Sequence, residues 1–239
     1  MAINNSPLYT ICGERINQYP GLQENTPTRM GGDSKPVALH PAYITSQPTG
    51  LIVKQHFNTV DSGNFTCFRS DSSVLFEVVG ERKSSSRRRE LVDPATGVTL
   101  FGLRRRYLNL KEQWYLEFPR DEQTSRRPTF SVAMKWKGWA NFDITMDNMA
   151  ASEAEDITLE IRARSCRHTT WDVLLDGRTI IGARKIPGIE APGETARIRN
   201  NPAWELDVVG GIDLSLASII AVILTDNNPG NLWSRGSHA

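Results

Sequence analysis

The chain has 239 residues, with 28 Lys plus Arg against 27 Asp plus Glu, a net charge of +1. That balance excludes recognition of nucleic acid by bulk charge, and the length suits one large domain with tails better than two small ones. Cys12, Cys67 and Cys166 are odd in number and have no C-x-x-C spacing, which fits a reduced compartment better than a disulfide scaffold.

Residues 1–48 are rich in Asn, Gln, Pro, Gly and Thr without a sustained period, so they read as an irregular N-terminal arm, partly laid against the domain and with no assigned chemistry. The opening residues lack the charged start and apolar block of a secretory signal. From Leu51 the texture changes to short alternating runs separated by turn residues, as in an antiparallel β protein. Phe65–Phe68 is one strand, and Val74, Phe76 and Val78 give the next one a single apolar face. Glu90–Val92, a turn at Asp93–Gly97 and Val98–Leu103 form a hairpin. The chain continues through Arg104, Arg105 and Arg106 to Tyr107–Leu110, then Trp114–Phe118. Phe130, Val132, Met134 and Trp136 alternate with Ser131, Ala133, Lys135 and Lys137, the pattern of a half-buried strand.

Asp147–Asp156 reads as an acidic loop. Ile157–Arg162 is a strand, and Val173–Leu175 meets Thr179–Ile181 across Asp176-Gly177, a two-residue hairpin signal. Lys185–Pro202 is Pro-rich and predicts a long loop, after which Trp204, Leu206 and Val208 make the last strand.

Between Ile212 and Leu224 only Asp213, Ser215 and Ser218 are polar, so a helix here has no wet face. The central-helix residues are Ile212, Leu214, Leu216, Ile219, Ile220, Val222, Ile223 and Leu224. At ~1.5 Å per residue the segment is about 20 Å long, short of the ~30 Å hydrocarbon core, so a buried helix is favoured over a membrane span. The β-branched residues leave a core strand as the competing reading. Asp213 or Ser215 is the expected cap, and Asp226–Gly230 ends the segment with breaker residues.

Gly50–Gln55, Leu91–Asp93 followed by a Gly-containing turn, Leu103–Arg106, Leu110–Trp114, Ile157–Ile161 and Trp204–Val208 running on to Ile219–Leu224 resemble the LURP-one-related family in order and spacing. The resemblance spans roughly residues 50–228. It implies kinship with the tubby C-terminal domain and the phospholipid scramblases, hence a closed antiparallel β-barrel of about a dozen strands around a buried hydrophobic C-terminal helix. The resulting division is an arm over 1–48, the domain over 49–228 and a tail over 229–239. The long arm, an insertion at Glu122–Pro128 and the Pro-rich loop depart from the family pattern.

No catalytic constellation emerges: there is no G-x-S-x-G, G-x-x-x-x-G-K or H-E-x-x-H, and the four histidines are scattered. Cys166 and His168 would share one face of a strand, but nothing at useful spacing completes a thiol–base pair or a metal site. The basic runs carry more information. Eight basic residues lie between Glu81 and Arg106, whereas Asp143–Glu160 holds six acids and no Lys or Arg, so a basic region and an acidic one are expected. Arg104 and Arg106 should share one strand face with Arg105 on the other. Arg87, Arg88 and Arg89 read as a loop cluster able to attract anionic lipid at about 1 kcal/mol per residue. With Arg104, Arg106, Lys135 and Lys137 they are the candidate contacts for anionic lipid or acidic partners.

The expected function is that of a non-catalytic, soluble β-barrel regulatory or interaction module, cytoplasmic and peripheral to the plasma membrane or nuclear. Its expected partners are phosphoinositides or acidic protein surfaces, with no cofactor, metal, nucleic acid or transmembrane span. The resemblance leaves a phospholipid scramblase-like membrane protein as the alternative.

Overall fold

Short alternating strands joined by tight turns leave the chain one economical way to hide its apolar faces, a meander that curls on itself. The structure is a computed structural model and describes residues 35–56, 63–80, 88–108, 111–119, 129–134, 141–153, 155–165, 168–186 and 203–227. Twelve strands follow in chain order: β1 (Thr49–Gln55), β2 (Phe65–Arg69), β3 (Val74–Gly80), β4 (Arg89–Asp93), β5 (Val98–Leu108) and β6 (Lys111–Glu117), then β7 (Phe130–Met134), β8 (Asn141–Asp147), β9 (Asp156–Ala163), β10 (Thr170–Leu175), β11 (Arg178–Ile186) and β12 (Ala203–Val208). Each pairs antiparallel with its sequence neighbours, and β1 closes on β12 from Thr49↔Val208 to Lys54↔Ala203. Closure removes the two unpaired edges that an open meander would expose.

Local chemistry sets the turns. Asp176 and Gly177 both take positive φ, 50° and 74°, which produces the two-residue turn between β10 and β11 expected from the Asp-Gly pair. Gly97 (φ 70°) donates its N–H to the Asp93 carbonyl at 2.8 Å and closes the β4–β5 turn. β5 runs unbroken through all three arginines.

The inward positions carry Leu51, Val53, Phe76, Phe101, Ile144 and Trp204, all fully buried, and they surround α1 (Leu214–Asp226). Every residue of α1 is buried, the outcome expected for a helix without a polar face. Two of its hydroxyls are satisfied within the helix: Ser218 donates to the Leu214 carbonyl and Thr225 to that of Ala221, both at 2.9 Å. Among the described residues no helix is long and apolar enough to cross a membrane.

Three details differ from the sequence reading. The helix starts at Leu214 because Asp213 caps it, and Ile212 bridges to Val37 instead. The N-terminal arm, by contrast, is partly laid against the domain as the sequence reading has it: Val37, Ala38 and Leu39 are buried against the barrel end where α1 begins. β8 was not anticipated, and Lys185 and Ile186 continue β11 before the Pro-rich segment, of which 187–202 lies outside the described residues. His168 is not on a strand; it takes a left-handed φ of 53° in the β9–β10 connection, and Cys166 lies outside the described residues.

Candidate functional site

Alternating strand direction sorts the chain into two barrel ends. At the entry end α1 begins, odd-numbered strands start and even-numbered strands finish; at the exit end α1 finishes and the reverse holds. Antiparallel pairing therefore gathers sequence-distant residues by strand polarity alone. Asp71, Asp93, Glu153, Glu155, Asp176 and Asp207 lie toward the entry end, joined there by the cations Lys35, Arg69 and Arg178. Arg88, Arg104, Arg106, Arg164, Arg184 and Lys185 lie toward the exit end. The exit end also carries Glu90, Asp172, Glu205 and Asp226, so it gathers arginines together with acids that pair with them, and the expected basic and acidic regions are not cleanly opposite ends.

Within the exit end the candidate residues have different roles. Arg104 and Arg106 share the outer face of β5 and Arg105 points inward, as the alternation requires. Arg104 Nε lies 2.8 Å from Glu117 Oε2 on β6. Arg106 is exposed and rests its guanidinium 4.4 Å from the centre of the Tyr115 ring, a cation–π contact that braces it without neutralising it. Arg88 is half exposed, its Nη2 3.2 Å from Glu90 Oε1. Arg105 is buried over the Trp114 ring at 5.6 Å, opposite it in register. Arg87, Lys135 and Lys137 lie outside the described residues.

Arg89 corrects the reading of residues 87–89 as one surface cluster. It is the first residue of β4, 4 % exposed, and its guanidinium makes a bidentate ion pair with Asp226 at the end of α1, with Nη2 2.9 Å from Oδ1. It also lies 5.3 Å from the centre of the Phe65 ring. The inward strand position forces this placement: a buried guanidinium needs a carboxylate, and Asp226 supplies it. Arg89 is thus unsuited to contact a membrane.

On the β9–β12 side the cations are matched by acids. Arg162 reaches Asp143 at 3.0 Å and also pairs with Glu160; Arg164 pairs with Asp172, and Arg184 with Glu205. On the β4–β6 wall Arg88 and Arg104 are likewise paired, with Glu90 and Glu117, so Arg106, exposed and braced on Tyr115, is the stronger candidate for contact with an external anion. Sequence reasoning missed Arg164, Arg184 and Lys185 as members of this end because they are remote in the chain. Counting strand polarity would have found them.

Two further chemical features lie among the described residues. A cleft of ≈ 310 Å³ at the exit end is lined by His56, Asn64, Phe65, Thr66, Glu77, Val78 and Val79, with His56 Nε2 2.7 Å from Thr66 Oγ1. Cys67 points into the core, where burial pushes its thiol up to about 12, which keeps it protonated and poorly nucleophilic. Among the described residues no three His, Cys, Asp or Glu side chains gather as a metal-binding group.

No curated protein matches the chain. The family model described as LURP-one-related matches residues 49–226, from the first residue of β1 to the last of α1. That span contains the whole closed barrel and its central helix, so the chain belongs to the LURP-one-related family.

Proposed function

We propose that the domain is a non-catalytic regulatory or interaction module that docks its exit end on anionic surfaces, phosphoinositide-bearing membranes foremost, from the cytoplasmic side. The observation that carries this reading is the exposed Arg106, braced on the Tyr115 ring beside Arg88 and Arg104 on the β4–β6 wall of the exit end. An exposed guanidinium held by a ring strengthens attraction to a negative surface. Basic groups near such a surface contribute about 1 kcal/mol each, so losing three amounts to ~3 kcal/mol, or roughly a hundredfold in binding.

The test is flotation of the purified chain with liposomes with and without phosphoinositides, at low and moderate salt. The comparison is with Arg88→Ala/Arg104→Ala/Arg106→Ala, leaving Arg89 intact because it holds the helix. Binding that needs phosphoinositide, weakens with salt and falls with the triple change supports the reading. Absence of wild-type binding at low salt overturns it and leaves acidic protein surfaces as the class to screen. A scramblase-like role is less well supported, since all of α1 is enclosed and its thirteen residues, ~1.5 Å each, reach about 20 Å.

A further inference from the structure

The entry end is closed by a segment that precedes the family-matched region. Residues 36–45 cross the turn between β12 and α1 and hydrogen-bond to it from both sides. Val37 N–H donates to the Gly211 carbonyl at 2.9 Å, and Asp213 N–H donates to the Val37 carbonyl at 3.0 Å. Farther along, Thr45 N–H donates to the Ile212 carbonyl at 3.1 Å and Gly211 N–H to the Thr45 carbonyl at 2.6 Å. Between these anchors, the Leu39 and His40 N–H groups donate to Asp213 Oδ2 at 3.0 and 2.8 Å. Asn148, from the β8–β9 connection, fastens the start of the segment: its Oδ1 accepts from Ala38 N–H at 3.1 Å and its Nδ2 donates to the Pro36 carbonyl at 2.9 Å.

Three properties make this segment separable from the wall. It joins the rest through two isolated bridges, Val37↔Ile212 and Ile44↔Asp213, rather than through a strand ladder. Its buried apolar side chains are Val37, Ala38 and Leu39, with the half-buried Tyr43 packed against the core. It is also tethered directly to β1, so reclosing is an intramolecular step with a short loop. A short tethered segment without a strand ladder can open locally below the global unfolding free energy.

We propose that residues 36–45 are a latch in cis that opens and closes the entry end independently of the barrel wall, gating access to Asp213 and the first turn of α1. This goes beyond the anionic-surface reading, which concerns the opposite end.

Gly210 provides a way to press on the latch without altering it. A Cβ at Gly210 would sit 2.8 Å from the Ser46 carbonyl oxygen and 3.4 Å from Gln47 Cα, so Gly210→Ala pushes against the latch's exit toward β1. The experiment is native-state hydrogen exchange on the full chain over a range of low urea concentrations, wild type against Gly210→Ala. In the wild type the amides of Val37, Leu39, His40, Thr45 and Ser215 are expected to exchange through an opening insensitive to low urea, while Val53 and Ile144 exchange only with global unfolding. Gly210→Ala should speed the first set about tenfold or more relative to the second. If both sets exchange together in the wild type, the segment is an integral part of the core and the proposal is overturned. Should Gly210→Ala fail to fold, Leu39→Ala, which trims a buried latch side chain and leaves its backbone bonds in place, is read in the same way; equal acceleration of both sets again overturns the latch.

Discussion

Asp213 and Asp226 stand at the two ends of one thirteen-residue helix, both buried, and are held by opposite means. Asp213 is the N-cap: Oδ1 accepts from Ser215 N–H and Ser215 Oγ, both at 2.7 Å, while Oδ2 takes the two latch amides. Its charge faces the positive end of the helix dipole. Asp226 sits at the negative end, where a carboxylate is disfavoured, and it is retained by one full counter-charge from Arg89. The entry end is thus secured by many neutral bonds, whereas the exit end is centred on an ion pair, beside which Trp204 Nε1 donates to Thr225 Oγ1 at 2.8 Å. Damage to a single group should be graded at the first end and abrupt at the second.

The largest expected effect follows from the exit end. Arg89→Met keeps the length of the side chain but leaves Asp226 buried and unpaired, a change that costs about 3–5 kcal/mol in comparable pairs. Adding Asp226→Leu removes the stranded charge and should recover most of the loss, because two apolar groups can replace a buried pair at little cost. Urea unfolding of the single and double variants measures both. A single-variant loss under about 1 kcal/mol, the range of exposed pairs, would mean that water reaches Asp226 and the comparison between the ends collapses.

Asp213 comes next. Asp213→Ala removes the cap and strands the amides of Leu39, His40 and Ser215, with an expected cost of about 2–4 kcal/mol by the same measurement. Its pH dependence is a second readout. Burial pushes the Asp213 carboxyl above its ordinary 3.8 against the pull of the donors from His40, Ser215 and Leu39. A folded-state value above the unfolded one means that the folded protein holds this proton more tightly. The group's contribution is therefore fully present below about pH 4 and is lost as pH rises through the raised value. Asp213→Asn cannot titrate, so the wild type should lose stability relative to it across that interval; a flat difference would show that the donors cancel the burial.

The strand alternation that shows β2, β3, β5 and β7 in the sequence also reveals which side of β5 each arginine takes, and the absence of a wet face identifies α1. β8 was hidden for a physical reason. Phe142, Ile144 and Met146 alternate inward, but Asp143 and Asp147 on the same strand made the stretch resemble the acidic loop that follows it. Arg89 was misread because three consecutive arginines look like one solvated cluster. The partner that draws Arg89 inward is Asp226, 137 residues away. The latch is equally illegible: it is fixed by backbone groups and by Asn148 and Asp213, and backbone hydrogen bonding leaves almost no trace in residue type. The arginines gathered at the exit end lie between these cases, since every charge can be read and only the strand count brings them together.

The smallest effect probes whether the entry end is as distributed as its bond list implies. Tyr43 donates from Oη to Asp93 Oδ2 at 2.8 Å, tying the latch to the β4–β5 turn, and its ring meets Phe76 edge-on with centroids 4.9 Å apart. Tyr43→Phe removes the bond and keeps the ring, so the cost should be only about 0.5–1 kcal/mol. The two partners titrate in opposite senses. Burial, then the bond to Asp93, pushes the Tyr43 hydroxyl up from 10.0 to about 12, so its contribution is present below pH 10.0 and is lost as pH rises toward about 12. The same bond, first among the causes, pulls Asp93 below its ordinary 3.8; that contribution is present above this value and is lost as pH falls through the depressed one. The wild-type advantage over Tyr43→Phe should therefore form a plateau between about pH 4 and pH 10, vanishing on both sides. A penalty as large as that of Arg89→Met would show instead that the entry end hangs on a single bond, and the contrast between graded and abrupt failure would have to be abandoned.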